Sequence, residues 1–184
     1  MHCSRRAFLT SLLLVGAGSR SAGAALARGL TLDELVRASA AAIVGTALEA
    51  HSEWATFGKN WVIVTDTRVR IEDVLLGGAR AGGEVMVRVL GGSIGELGER
   101  VDGQAELVLG APSALFLMPE TRAVSFVVGA AQGHFRLEPA ADRVLRLAPS
   151  PRLPHLLRPS TAAVSRLRGR TVAEARELVR ASGR

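Results

Sequence analysis

The sequence predicts a mainly β fold: a small antiparallel β-barrel or sandwich with a short N-terminal helix and a C-terminal helix. Three observations carry this reading. Apolar runs of strand length recur at spacings of about ten residues between Ala42 and Leu147. Glycines at 91, 92, 95, 98, 103, 110, 129 and 133 punctuate them, as residues that turn a chain at little steric cost. No strand and long helix alternate, which argues against a parallel doubly wound sheet. The 184 residues suffice for one domain with its own core and a short appendage. With 48% hydrophobic and 22% charged residues, the chain is no disordered polyelectrolyte.

In order along the chain, Ser4-Arg5-Arg6-Ala7-Phe8-Leu9 comes first and resembles the twin-arginine signal consensus, with Arg5, Arg6, Phe8 and Leu9 carrying the match. The uncharged apolar run after it is shorter than the roughly 20 residues that span a bilayer as a helix. Ala22-Gly23-Ala24 and Ala25-Leu26-Ala27 are small-x-small sites, so cleavage is expected after Ala24 or Ala27. Residues 1–27 therefore read as a signal peptide handed to the twin-arginine translocase. The mature protein reads as periplasmic or secreted, with no stable membrane span after cleavage. The single cysteine, Cys3, leaves with the signal, which excludes a disulfide framework or a multi-thiolate metal site.

The β domain is expected over 28–148. Thr31-Leu32-Asp33-Glu34 is a capping box that opens a helix over about 32–40, with Leu32, Leu35 and Val36 on its apolar face. Ala42 to Ala50 turns β-like through Ile43-Val44-Gly45-Thr46, and His51 to Lys59 reads as a loop. Asn60 to Leu76 is the strongest strand signal, long enough that it must bend to stay on a small domain. Val85 to Leu90 returns as a hairpin, and later strands are expected at 106–109, 114–118, 125–128, 135–137 and 144–147.

Residues 149–184 change character. Pro149, Pro151, Pro154 and Pro159 predict an extended linker. Thr171-Val172-Ala173-Glu174 is a second capping box, opening a basic helix to about Ala181 with an apolar stripe of Val172, Ala175, Leu178 and Val179. A helix this short is marginal alone, so it docks on the domain or on a protein partner. The net charge of +6 hides a division: residues 28–142 hold 10 basic against 15 acidic residues, and 143–184 hold 10 against 2. The tail has no aromatic residue for base stacking, so nucleic acid is not expected as a partner.

Gly91-Gly92-Ser93-Ile94-Gly95 spells a nucleophile elbow, with Asp142 and His155 following in triad order. That elbow requires a helix next, yet Gly98 and Gly103 interrupt the segment. His51, His134 and His155 lack metal-ligand spacing, and Glu96, Glu99 and Asp102 lack the alternating ligands of a calcium loop, so no metal and no cofactor is expected. Trp54, Phe57 and Trp61 crowd one segment of an aromatic-poor chain and are candidates for a ligand or partner groove, or for core filling.

The order of the capped helix, Ala42-Ile43-Val44-Gly45-Thr46-Ala47, Val74-Leu75-Leu76-Gly77-Gly78, Gly91-Gly92-x-x-Gly95, Leu115-Phe116-Leu117 and Gln132-Gly133-x-Phe135 resembles a group of uncharacterised exported bacterial β domains, found alone or beside matrixin-like zinc proteases. Their early strands are similar to the OB-like barrel of netrin-type and metalloprotease-inhibitor domains. The resemblance covers about 31–140 and implies an OB-like barrel. It carries no functional residue over, because those inhibitors reach the catalytic zinc through a disulfide-linked N-terminal cysteine that this mature chain lacks. The expected function is a non-enzymatic binding or interaction module. The alternatives are an accessory or inhibitor of an exported protease, and a small serine hydrolase using Ser93.

Overall fold

The computed structural model describes residues 26–121 and 123–183, so the twin-arginine motif, Cys3 and Ala24 lie outside the described residues. The elements are β1 (Leu26–Arg28), α1 (Leu32–Ala38), β2 (Ala41–Phe57), β3 (Asn60–Leu76), β4 (Glu84–Leu90), β5 (Gly92–Ile94), β6 (Leu97–Glu99), β7 (Pro112–Leu117), β8 (Ser125–Phe126), β9 (His134–Pro139), β10 (Leu145–Pro149), β11 (His155–Leu157), α2 (Ala163–Leu167) and α3 (Val172–Ser182). Both capping boxes form. The Thr31 hydroxyl accepts from the Glu34 N–H at 3.2 Å while the Glu34 carboxylate accepts from the Thr31 N–H at 2.9 Å, and Thr171 and Glu174 repeat the exchange at 3.2 and 2.8 Å.

The fold is mainly β, built on a seven-stranded sheet in the order β10-β9-β7-β2-β3-β4-β8. It is mixed, not purely antiparallel as the sequence suggests, because β8 runs parallel to β4. Beyond β8 the chain turns to a second neighbour: Val127 bridges Leu117, the Met118 N–H donates to Phe126 O at 2.8 Å, and the Val128 N–H donates to Phe116 O at 2.8 Å. Residues 125–128 thus bond to β4 on one side and to β7 on the other.

Side chains alternate across β2 and β7, and so the sheet divides two cores. Ile43, Leu115 and Leu117 join Val69, Ile71, Val87 and Val127 on one face, in the smaller of the two cores, the second core. Ala42, Val44, Ala114 and Phe116 point the other way, into a core that α1, α2 and α3 complete with Leu32, Leu35, Leu167, Ala175 and Val179. The long hairpin bends as its length requires. Register shifts fall between Ala42 and Ile43, Val44 and Gly45, and Ala47 and Glu49. At Gly45 the strands approach so closely that a Cβ would lie 2.5 Å from Arg70 O.

The expected loop over His51–Lys59 is instead strand as far as Phe57, with Gly58 and Lys59 alone making the turn. Its mixed polar and aromatic residues hide the strand, since pairing with the apolar start of β3 defines it and burial does not. Conversely, 106–109 forms no strand: Leu109 alone bridges Ala47, and both Val108 and Leu109 are exposed. Residues after Pro149 pack tightly against the domain. Leu156 in β11 is buried, β11 pairs in parallel with β1, and Ala162, Ala163, Val164 and Leu167 enter the helical core. The expected extended linker is folded instead: Pro151 lies in a turn, Pro159 opens a short 3-10 helix ahead of α2, and the apolar residues between them pack against the domain.

Candidate functional site

The second core opens at one end into a cavity of about 390 Å³. Its floor is core: Ile43, Ile71 and Leu117, each at most 5% exposed. Its rim is polar, with Arg80, Glu84 and Glu120 around the opening and buried Ser125 at the wall. The turn carrying Arg80 is held to β3, as the Gly82 N–H donates to Ile71 O at 2.7 Å and the Ile71 N–H donates to Gly83 O at 2.8 Å. Glu84 is drawn aside by Arg68 at 3.2 Å. An apolar seat with a few convergent polar groups, set in a rigid frame, suits a small partly apolar molecule. Sequence reasoning missed this cavity because its residues come from five separate segments; the one signal was the Gly-rich stretch that follows the long strand.

The aromatic residues sit at the far end of the long hairpin. By strand alternation Trp54 and Trp61 share one face of the ribbon, Trp54 opposite Ile63 and Trp61 opposite Thr56, while Phe57 lies on the other face. Phe57 leans on Phe126 with ring centroids 6.2 Å apart. Trp54, Phe57 and Trp61 are 47%, 51% and 70% exposed, so none fills a core.

Ser93 lies on β5, and the chain after it turns straight into β6, a strand where a nucleophile elbow needs a helix. Gly92, beside it, presses on the hairpin: a Cβ there would lie 2.3 Å from Thr65 Oγ1. Asp142 is held below the usual carboxylate range, first by its hydrogen bond from Arg146 at 2.7 Å. His155 is exposed on β11. The glycine motif therefore serves as packing and turn.

His134 is the histidine the fold isolates. It is fully buried, with Nδ1 3.0 Å from Ser150 Oγ and Nε2 3.2 Å from Ser113 Oγ. A neutral ring is a donor at one nitrogen and an acceptor at the other, so the two hydroxyls satisfy it completely. Burial, with a smaller push from Arg136, lowers its pKa to about 4. Among the described residues no group of three metal-ligating side chains comes together. Glu99 is likewise engaged, its carboxylate accepting the Ile63 N–H at 2.7 Å.

The C-terminal helix spends its apolar stripe at home. Ala175 and Val179 are fully buried, and Arg176 ion-pairs with Asp73 on β3 and donates to Val74 O at 3.4 Å. Arg152 reaches Glu106 at 3.3 Å. The basic tail is thus drawn onto the acidic domain, leaving Arg166, Arg168 and Arg170 around a shallow groove on the outside. No helix among the described residues is long and apolar enough to cross a membrane. Comparison with protein-family models, curated proteins and solved structures finds no match.

Proposed function

We propose that this chain is exported by the twin-arginine route and acts outside the cytoplasm as a non-enzymatic binding module, with the mouth of the second core as its ligand seat. The observation that carries the reading is that mouth: a cavity of about 390 Å³ whose floor is packed core and whose rim holds Arg80, Glu84 and Glu120. A ligand with an apolar body and one or two polar groups matches it. The strand circuit supports the OB-like barrel within this reading. β7 pairs with β2, β2 with β3, β3 with β4, β4 with β8, and residues 126–128 bond back to β7, five strands with one parallel pair.

Export rests on Arg5, Arg6, Phe8 and Leu9. Of the two cleavage sites, the one after Ala24 is the better match to the fold, because β1 uses Leu26, Ala27 and Arg28 to pair with β11 and cleavage after Ala27 would remove two of these. The mature protein should therefore begin at Ala25, and Arg5→Lys with Arg6→Lys should hold it in the cytoplasm. An N-terminus at Arg28, or export that survives both substitutions, would refute this part.

The ligand seat is tested with Ala79→Trp, which puts an indole into the cavity from its partly buried wall. The wild-type protein should retain small molecules from an extracytoplasmic extract of its host, and the variant should lose them while melting at the same temperature. Equal retention by both, or none by the wild type, would overturn the seat.

A further inference from the structure

The hairpin of β2 and β3 outruns the rest of the sheet. On its outer edges the last lateral bonds are the Ala47–Leu109 bridge on β2, and on β3 the Ile63 N–H and C=O, which meet Glu99 and Gly91. Beyond these points, residues 55–62 pair only with each other, and the Phe57 ring rests against Phe126 of β8. At about 3.3 Å per residue, the three residues of each strand beyond the Trp54–Ile63 pair make a tip of roughly 10 Å.

What the tip carries is unlike the rest of the surface. Trp54, Phe57 and Trp61 are 47%, 51% and 70% exposed there, and the chain has no other tryptophan. Between Glu53 and Asp66 the sequence holds a single charge, Lys59, at the apex of the turn, and it is the chain's only lysine. A saccharide platform would set carboxylate or amide groups beside its rings, and this tip offers only Asn60. Phe57 lies on the face opposite the indoles and rests on Phe126, so Trp54 and Trp61 make the free apolar face of the tip.

We infer that the β2–β3 tip is a membrane-interface anchor that places Trp54 and Trp61 among the headgroups of an anionic bilayer, with Lys59 reaching the lipid phosphates. Indole rings favour the headgroup layer because they pair an apolar body with one N–H donor. A lysine stem lies along apolar surface while its ammonium stays with the phosphates. Elements of this kind sink about 5–10 Å into the boundary, a depth comparable to the length of the tip. No acidic residue lies between 54 and 65, so Lys59 is the one charge the tip itself presents to an anionic surface. The contact is reversible and involves no spanning segment, and the ligand seat at the mouth of the core is made of other residues.

Because both tryptophans are at the tip, intrinsic emission reads this contact without a label. The mature protein is mixed with vesicles of phosphatidylcholine containing about a third phosphatidylglycerol, and with vesicles of phosphatidylcholine alone. Emission should shift to the blue and the protein should co-sediment with the anionic vesicles. Trp54→Ser and Trp61→Ser should each weaken partition about tenfold, as expected when exposed indole surface that the bilayer buries is removed. Lys59→Glu should weaken binding to the anionic vesicles only, with the difference vanishing at high salt. All three side chains are exposed, so melting temperatures serve as the folding control. Unshifted emission with the protein left in the supernatant would overturn the anchor. So would a blue shift produced without lipid, either by raising the protein concentration or by adding a soluble oligosaccharide.

Discussion

Acidification from about pH 7 to about pH 5 should weaken this protein through His134, because the fold holds that ring neutral where the unfolded chain protonates it. The ring's pKa falls from 6.5 to about 4 on folding, chiefly through burial. Between those values the unfolded state binds a proton that the folded state refuses. Stability is therefore complete above the unfolded value and drains away as the pH drops towards the folded one. Each pH unit inside the window removes about 1.4 kcal/mol, so the loss is roughly 2 kcal/mol by about pH 5 and about 3 kcal/mol across the window. That is a large share of the ~5–15 kcal/mol that holds a domain together. Glu34, Asp142 and Glu174 are held below their usual values by hydrogen bonds and cations, so their losses come only at lower pH and leave the upper part of the window to the histidine. Urea unfolding at several pH values, on the wild type and on His134→Gln, measures this directly. The wild-type free energy should slope downward on acidification while the variant stays nearly flat, though lower at neutral pH for want of the Ser113 and Ser150 bonds. Parallel slopes for the two proteins would refute the reasoning.

Other consequences can be read by similar means. Gly45→Ala should lower the urea midpoint by the equivalent of about 2 kcal/mol, since its Cβ would collide with backbone at 2.5 Å and the bend cannot give way. Removing residues 149–184 should leave a chain that binds hydrophobic dyes and unfolds without cooperativity, because Leu156, Ala163, Val164, Leu167 and Val179 leave the helical core together; sharp unfolding of the truncated protein would contradict this. Thr171→Ala should cost about 1 kcal/mol through loss of the cap on α3. Ser93→Ala should change neither melting temperature nor reactivity, and a fluorophosphonate probe should label neither form.

Much of the fold was legible in the sequence where local chemistry and tertiary outcome agree. Thr31 with Glu34 and Thr171 with Glu174 announce their helices because a capping box is complete within four residues. Asn60–Leu76 declares itself through β-branched residues and alternation. Three features were not legible, each for its own reason. The strand over 51–57 is defined by its partner and buries little, so its polar residues read as loop. The packing of 150–167 depends on distant β1 and α1, while its prolines speak only of local extension. The mouth cavity joins Ala41, Ile71, Val85, Leu117 and Ser125, which no spacing connects. Trp54, Phe57 and Trp61 stood out as an unusual concentration, but only the register across the hairpin separates their faces.

The central claim, a binding module with a seat at the open end of its second core, is tested most directly by native mass spectrometry of the protein recovered from its own extracytoplasmic fraction. The account predicts a chain beginning at Ala25 that carries a small-molecule adduct, released on denaturation and missing from Ala79→Trp. A bare chain of that mass, or an adduct that Ala79→Trp retains, would contradict it.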